Sequence, residues 1–257
     1  MPDLSILIPS RNEPYLQQTV DSIFENSEAD IEVLVGLDGA SYEETGAFAL
    51  RNECRVFGSP VIGQRAMTNM LAEEAKGAYL MKVDAHCSFG PGFDRILLET
   101  IEDDVILSPL MYPLDVPGWT INHHKPMSNF VFDENFVMQF APEREEKTHE
   151  VMCLQGSAFM LTKDLYFELG LDEKAFGSWG SQGVEIGCKA WFNGKRCMTT
   201  KKTFYGHLFR TTDADFPYDR GENPGKQSNE LCKRLFGEHP KLDWLREKFS
   251  TPQMPVS

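Results

Sequence analysis

The hydrophobic positions in the first half of the chain alternate between the period of a strand and the period of a helix. Four short apolar runs predict buried strands, at 4–8, 31–37, 54–57 and 78–83. The segments 14–24 and 63–76 carry apolar residues at helical spacing, and Gly77 is the expected C-terminal cap of the second helix. This alternation predicts an α/β domain whose mainly parallel sheet carries helices on both faces.

The second half of the chain has a less regular hydrophobic pattern. Between 112 and 150, Pro, His, Asn and acidic residues interrupt every regular pattern, which predicts an irregular segment too short for a core of its own. Regular patterns return at 151–161, in a helix after Lys163 and in a second helix that ends before Gly194. An amphipathic pattern from 227 to 249 predicts a helical tail that packs on the same domain.

Composition and charge narrow the classes of function. The 257 residues are 41% hydrophobic and carry a formal net charge of -14, which fits a globular protein whose overall field repels nucleic acids and anionic lipids. The basic residues between Lys189 and Lys202 form a local exception, and a solvated surface is their simplest interpretation.

Membrane insertion and secretion are not indicated by the sequence. No apolar run approaches the ~20 residues that span a bilayer, and residues 1–13 lack the basic and apolar regions of a secretory signal. The six cysteines contain no C-x-x-C pair, so we interpret them as reduced thiols. These features predict a cytoplasmic protein without stable membrane insertion.

Three polar clusters follow predicted strands, at the edge where open parallel sheets bind their ligands. Residues 9–13 and Asp38 are expected to position the base and ribose of a nucleotide. Asp84 and His86 lie two residues apart, so in an extended segment their side chains point to one side. A carboxylate and an imidazole suit a divalent ion such as manganese, although a strand-end cap and a surface histidine explain the same two residues equally well.

These clusters belong to longer segments that resemble a known group of enzymes. Residues 5–13, 33–41 and 75–87 are similar, in this order, to the nucleotide-sugar half of GT-A glycosyltransferases. Within that superfamily the chain most resembles the polypeptide N-acetylgalactosaminyltransferases of the family 2-like group, whose metal motif is D-x-H where most relatives have D-x-D. Four later segments continue the resemblance: 155–159, 176–185, 205–210 and 216–218.

The resemblance covers residues 4–236 and implies a division of the chain. Residues 1–225 are expected to form the GT-A domain, with the nucleotide-sugar half in 1–110 and the acceptor half in 111–225. Residues 226–257 are the expected helical tail, packed on the same domain.

The resemblance also implies roles for individual residues. It implies three metal ligands, Asp84, His86 and His207, for manganese or, as the alternative, magnesium. The residues expected to bind a UDP-sugar donor are Pro9, Arg11, Glu13, Asp38, Arg65, Asp84, Ala85, Gly156, Ser157 and Tyr218. The implied catalytic positions are Trp179, Gln182, Glu185 and Arg210. Arg210 would add a positive charge beside the departing diphosphate.

One departure from the family bears on the mechanism. Inverting relatives have the loop W-G-G-E-D, whose Asp takes the proton of the acceptor hydroxyl, whereas the corresponding residues here are Gln182 and Gly183. Neither is a base, which resembles the retaining branch, and Glu185 on the following helix is equally compatible with a structural role. Gln182 replaces a glutamate that contacts the sugar, and its amide can still donate and accept hydrogen bonds.

The predicted function is metal-dependent transfer of a sugar from a nucleotide-sugar to a hydroxyl group, with retention of configuration. The acceptor is a saccharide, a protein hydroxyl or a hydroxymethylated DNA base, and the last requires the basic residues of 189–202 to face the site. A non-catalytic nucleotide-sugar or glycan-binding module and a nucleotidyltransferase are the alternatives. The loop 210–225, rich in Gly, Asp and Thr, is predicted to close over the donor.

Overall fold

The computed structural model describes residues 1–41, 50–51, 53–171, 173–176, 180–210, 212, 215–219 and 224–250. The strands of the first half are β1 (Leu4–Ser10), β2 (Ile31–Asp38), β3 (Cys54–Ser59), β4 (Tyr79–Val83), β5 (Cys87–Phe89) and β6 (Val105–Asp115). Those of the second half are β7 (Thr120–Ile121), β8 (Phe130–Phe132), β9 (Met138–Phe140), β10 (Thr148–Glu150), β11 (Ala158–Thr162) and β12 (Arg196–His207). The helices are α1 (Leu16–Asn26), α2 (Gln64–Glu74), α3 (Phe93–Leu98), α4 (Lys163–Leu169), α5 (Glu173–Phe176), α6 (Gln182–Phe192), α7 (Pro224–Phe236) and α8 (Leu242–Phe249).

A central 10-stranded sheet contains the strand order β10-β12-β6-β11-β4-β1-β2-β3. β1 pairs in parallel with β2 and β4, and β2 pairs in parallel with β3, so the predicted parallel arrangement is confirmed for the N-terminal half. β11 runs antiparallel to both of its neighbours, β4 and β6. The described chain between β6 and β11 contains no helix that would carry it back for a parallel pairing, so this half of the sheet is mixed.

The connections of the parallel half determine where a cleft forms. From β1 the chain passes through α1 to β2, and from β3 it returns through α2 to β4 on the other side of β1. Right-handed crossovers that step in opposite directions place α1 and α2 on opposite faces of the sheet. The edge between β1 and β4 is therefore the switch point of the topology, where α/β sheets bind their ligands.

The prediction that Gly77 caps the second helix is wrong. α2 ends at Glu74, and Ala75 is already extended. Gly77 lies instead against β1, where its N–H donates to Ser5 Oγ at 2.8 Å and an added Cβ would lie 2.7 Å from Ser5 N. The glycine is needed because two backbone segments approach each other closely at this point.

The segment predicted to be irregular, 112–150, contains several short strands. β8 and β9 form a separate two-stranded sheet, and β10 pairs antiparallel with β12 at the edge of the main sheet. Phe130, Phe132 and Phe136 are buried in the same core as the residues of the main sheet. The segment therefore shares the core of the rest of the protein.

The tail forms two helices where the pattern predicted one helical stretch. α8 packs on the end of α6: the ring centroids of Trp191 and Phe249 lie 5.3 Å apart, and Lys241 Nζ donates to Phe192 O at 2.6 Å. None of the helices in the described part of the chain combines the length and the apolar composition that crossing a membrane requires.

Candidate active site

A cleft opens at the carboxyl ends of β1, β2 and β4, and the end of β12 forms its other wall. Residues from all three polar clusters that the sequence singled out line this cleft, together with residues 207–210. Pro9 and Ala85, both predicted to bind the donor, are among the lining residues. The structure thus brings strand ends that are distant in sequence into one site at the topological switch point.

Asp84, which follows β4, is the centre of this site. Its backbone N–H donates to Ser157 O at 2.7 Å, which fixes the residue beside β11. Its Oδ1 accepts hydrogen bonds from Gln64 Nε2 at 3.0 Å and from Lys82 Nζ. Its Oδ2 points the other way and lies 3.3 Å from His207 Nε2 and 3.9 Å from His86 Nε2.

A local strand pairing explains how His207 reaches a residue 123 positions before it. β5 follows the D-A-H segment and runs antiparallel to the end of β12, with Cys87 opposite His207. The N–H of Leu208 also donates to His86 O at 3.2 Å. These backbone contacts place the two imidazole rings side by side, with 5.0 Å between their centroids.

The three side chains form a donor set suited to a divalent cation. One ligand atom from each of Asp84, His86 and His207 lies within 4.8 Å of the others. Burial lowers the pKa of His207 to about 4, so this imidazole is neutral at pH 7. The tautomer protonated on Nε2 donates to Asp84 Oδ2, and the tautomer protonated on Nδ1 carries on Nε2 the lone pair that a metal needs. Burial would raise the pKa of Asp84, but the charge of Lys82 and the contact with His207 outweigh it and hold the carboxyl ionised. One carboxylate oxygen and two imidazole nitrogens are a donor set that divalent transition-metal ions accept.

Glu13, predicted to bind the nucleotide, lines the cleft and contacts two site residues. Arg210 Nη2 donates to both of its carboxylate oxygens, at 2.8 and 2.7 Å, and His86 Nδ1 lies 2.9 Å from Glu13 Oε2. Burial would raise the pKa of Glu13, but the hydrogen bonds and charges of His86 and Arg210 lower it overall. Because Glu13 engages Nδ1, the Nε2 atom of His86 faces Asp84.

The predicted lid lies partly outside the described residues, which omit 211, 213–214 and 220–223. Three residues of its described part line the cleft: Arg210, Phe216 and Tyr218. The guanidinium of Arg11 lies 5.1 Å from the ring centroid of Tyr218, and that of Arg210 lies 5.6 Å from the ring centroid of Phe216. Two cleft arginines are therefore covered by aromatic rings from this loop. Burial also raises the pKa of Tyr218.

Asp38 lines the cleft, but its carboxylate is already engaged by the backbone. It accepts the N–H of Ile62 at 2.6 Å and that of Gly63 at 3.2 Å. These bonds hold the turn that leads into α2, on which Gln64 reaches Asp84. Asp38 shapes the cleft by positioning this turn.

A second cavity adjoins the cleft and shares Gln64 and Asp84 with it. Gly156, Ser157 and Gln182 line this cavity. The Ser157 hydroxyl lies 2.7 Å from the Tyr205 hydroxyl, so it is engaged within the protein. The side-chain amide of Gln182 is buried, and neither its nitrogen nor its oxygen has a hydrogen-bond partner among the described residues.

Two of the predicted site residues lie outside both cavities. Arg65 and Glu185 are both 0% exposed, and Arg65 Nε donates to Glu185 Oε2 at 2.9 Å. Arg65 also donates to Gly180 O at 2.6 Å and lies 4.4 Å from the ring centroid of Phe176. The expected placement of Arg65 at the donor and of Glu185 at the reacting atoms is therefore corrected, because burial seals the pair between α2 and α6. Trp179 lies outside the described residues.

The basic cluster of 189–202 does not line the cleft. Arg196 pairs with Glu102 and Asp104, and Lys195 pairs with Glu168 at 3.1 Å. Much of the positive charge of this cluster is therefore balanced at the surface.

Sequence reasoning missed two residues that contact Asp84. Lys82 lies two positions before Asp84 and is a charged residue in an otherwise apolar strand. Since residues two apart in a strand share a face, this lysine could have been predicted to lie beside Asp84. Gln64 gave no such signal, because a glutamine at the start of a helix is ordinary.

Comparison with known families agrees with this architecture. Residues 5–169 match the model of glycosyl transferase family 2. The chain belongs to glycosyl transferase family 2. The resemblance found in the sequence is thereby confirmed.

Curated relatives of this family 2 chain cover most of it at low identity. Polypeptide N-acetylgalactosaminyltransferase 8 of Drosophila melanogaster is 22% identical over 267 residues, which is 96% of this chain and 44% of the relative. Human polypeptide N-acetylgalactosaminyltransferase 3 is 23% identical over 236 residues, which is 82% of this chain and 37% of the relative. The chain thus spans less than half the length of these relatives.

Solved structures confirm the expected GT-A fold. The crystal structure of GalNAc-T7 with UDP, GalNAc and Mn²⁺ superposes with a TM-score of 0.75 at 19% identity, over 96% of this chain and 54% of that one. The crystal structure of S. aureus TarS superposes with a TM-score of 0.55 at 16% identity, over 83% of this chain and 38% of that one.

Proposed function

We propose that this family 2 protein is a metal-dependent glycosyltransferase that takes a UDP-sugar as donor. The observation that carries the proposal is the convergence of Asp84, His86 and His207, with their ligand atoms within 4.8 Å, in a cleft at the switch point of the sheet. The solved GalNAc-T7 complex, which shares the fold, contains UDP, GalNAc and Mn²⁺. This neighbour supports the choice of donor and ion.

Each ligand residue has a structural reason for its orientation. Asp84 Oδ2 and the Nε2 atoms of His86 and His207 would hold the ion. A bound divalent ion would neutralise the charge that builds on a departing diphosphate. Arg210 brings a guanidinium to the same cleft, and Glu13 holds both Arg210 and His86 in place.

We propose that transfer proceeds with retention of configuration. Glu13 and Asp38, which line the cleft, are engaged by Arg210 and by backbone N–H groups, so neither is free to take the acceptor proton. A side chain at position 183 is excluded, since a Cβ there would lie 1.6 Å from Leu154 O. In the proposed step the bond from the sugar C1 to the diphosphate oxygen breaks. The acceptor oxygen joins C1 on the same face, and its proton passes to the departing diphosphate.

The second cavity is the proposed position of the transferred sugar. It adjoins Asp84, and the buried amide of Gln182 provides one acceptor and one donor group without partners among the described residues. Such an amide can bind two sugar hydroxyls.

The acceptor we propose is a hydroxyl of a protein or a saccharide. The relatives named polypeptide N-acetylgalactosaminyltransferases favour the protein hydroxyl. A hydroxymethylated DNA base has less support, because the basic cluster of 189–202 does not line the cleft and is partly balanced by acidic partners. The cytoplasmic location stays a prediction.

The test is release of UDP from a panel of UDP-sugars in the presence of Mn²⁺, with and without peptide and saccharide acceptors. We expect release with at least one UDP-sugar and an increase on addition of an acceptor. Binding of UDP-sugars without any release would support the non-catalytic binding module, and release of a sugar 1-phosphate would support nucleotidyl transfer. NMR of the product decides the stereochemistry, and a β-linked product from an α-linked donor would contradict retention.

A further inference from the structure

A buried lysine lies directly behind the metal-binding carboxylate. Lys82 is 1% exposed and belongs to β4, whose other described residues are mostly apolar and buried. Its Nζ contacts Asp84 Oδ1 and donates to Gly156 O at 2.7 Å. Lys82 lines neither cavity, so it acts on the site through Asp84 and not by touching a ligand in them.

The two oxygens of Asp84 face different surroundings because of this lysine. Oδ1 accepts hydrogen bonds from Lys82 Nζ, which lies behind the cavities, and from Gln64 Nε2, whose residue lines both of them. Oδ2 is directed to the imidazoles, 3.3 Å from His207 Nε2. A carboxylate held in this way offers one oxygen to a cation, because the other oxygen is already occupied by two donors.

Two positive side chains of the site are each paired with a carboxylate. The ammonium of Lys82 compensates the carboxylate of Asp84, and the guanidinium of Arg210 compensates that of Glu13. Imidazole ligands add no negative charge. A lone divalent cation therefore meets little net attraction here, while a diphosphate would bring the missing negative charge.

We propose that Lys82 is a positioning residue that neutralises Asp84 and restricts it to one metal-facing oxygen, so that a divalent cation binds tightly only together with a diphosphate. This inference rests on the metal role of Asp84, His86 and His207 proposed above. This arrangement would have two consequences. The empty cleft would stay ordered without the ion because its charges are balanced, and the ion would bind together with the diphosphate of the donor.

The test measures Mn²⁺ binding by the EPR signal of the free ion, without and with UDP, and no sugar transfer is involved. Lys82→Met removes the charge at nearly constant length, Lys82→Gln keeps a hydrogen-bond donor, and Lys82→Arg restores a charge. Lys163→Met is the matched control, because Lys163 also donates to a carbonyl, Ala75 O at 2.6 Å, but lies outside both cavities.

We expect the wild type, Lys82→Arg and Lys163→Met to bind Mn²⁺ weakly alone and at least about tenfold more tightly with UDP. In Lys82→Met and Lys82→Gln we expect Mn²⁺ alone to bind about tenfold or more tightly than in the wild type, since a positive charge near the ion is gone. The gain from UDP should shrink in both variants.

Three results would overturn the inference. The first is unchanged or weaker binding of Mn²⁺ alone in a folded Lys82→Met or Lys82→Gln protein, with folding checked by circular dichroism. The second is wild-type binding of Mn²⁺ that is equally tight with and without UDP, which decides the matter if neither neutral variant folds. The third is absence of Mn²⁺ binding even with UDP, which would also remove the proposed metal site. The first two results leave the proposed transferase activity standing.

Discussion

The ion pairs Arg65–Glu185 and Lys82–Asp84 each contain a buried cation, but they differ in how far the carboxylate is open to the cleft. Arg65 and Glu185 are both fully buried between α2 and α6, and the cleft does not reach them. In the pair of Lys82 and Asp84 the carboxylate side chain is 20% exposed, and Oδ2 faces two imidazoles. The comparison teaches that burial of charge alone does not mark a reactive site. A carboxylate can serve as a metal ligand only where one of its oxygens stays open, as Asp84 Oδ2 does here.

The largest expected effect comes from removing one of the proposed metal ligands around Asp84. We predict that His207→Ala abolishes Mn²⁺-dependent release of UDP, at least on the order of a hundredfold, because the ion loses one of three protein ligands. Steady-state assays over a range of Mn²⁺ concentrations measure this effect. The melting temperature should stay close to that of the wild type. Full activity of a folded His207→Ala protein would show that the ion is held elsewhere.

Loss of the Arg65–Glu185 pair should lower stability and leave metal binding unchanged. We predict that Arg65→Met lowers the free energy of unfolding by about 2–3 kcal/mol, because the buried Glu185 loses the guanidinium that donates to Oε2 and keeps the ammonium of Lys189, 2.8 Å from Oε1. Urea denaturation measures the loss. At a temperature where the variant is folded, its Mn²⁺ affinity in the presence of UDP should match the wild type. A stable variant with weakened Mn²⁺ binding would assign Arg65 to the site after all.

Glu13 shares a feature with each of these residues: it is buried, as Arg65 is, and it contacts a proposed metal ligand, His86. We predict that Glu13→Gln weakens Mn²⁺ binding in the presence of UDP by about tenfold to a hundredfold, because the contact that orients His86 is weakened and Arg210 loses its partner. Titration followed by the EPR signal of Mn²⁺ gives the value. Unchanged affinity would mean that His86 is oriented without Glu13.

The smallest effect is expected at Gln182, which lines the second cavity. We predict that Gln182→Met changes the preference among UDP-sugars by about tenfold in kcat/KM and leaves stability within ~1 kcal/mol, because an apolar side chain of similar length neither donates nor accepts hydrogen bonds and the amide it replaces has no partner among the described residues. Competition between paired UDP-sugars reads out the preference. An equal effect on all donors would place Gln182 outside the sugar site.

The sequence was sufficient to predict the parallel half of the sheet and the cleft at its strand ends, because the apolar runs and the polar residues after them are local signals. The D-A-H segment was visible as a polar cluster after a predicted strand, whereas its assignment as a metal site and the role of His207 came from the family resemblance. The burial of Arg65 and Glu185 was not predictable, since helical spacing does not show which face of α2 meets α6. Gly77 was misassigned for a similar reason. A helix cap is a local property, whereas its contact with Ser5 depends on tertiary packing.

Removal and return of the ion tests the central claim most directly. Release of UDP from an accepted UDP-sugar is followed with Mn²⁺, after excess chelator, and after Mn²⁺ is restored. The proposed site predicts loss of release in chelator, recovery when Mn²⁺ returns, and no recovery in Asp84→Ala or His207→Ala. Equal release of UDP in excess chelator would contradict metal-dependent transfer by Asp84, His86 and His207.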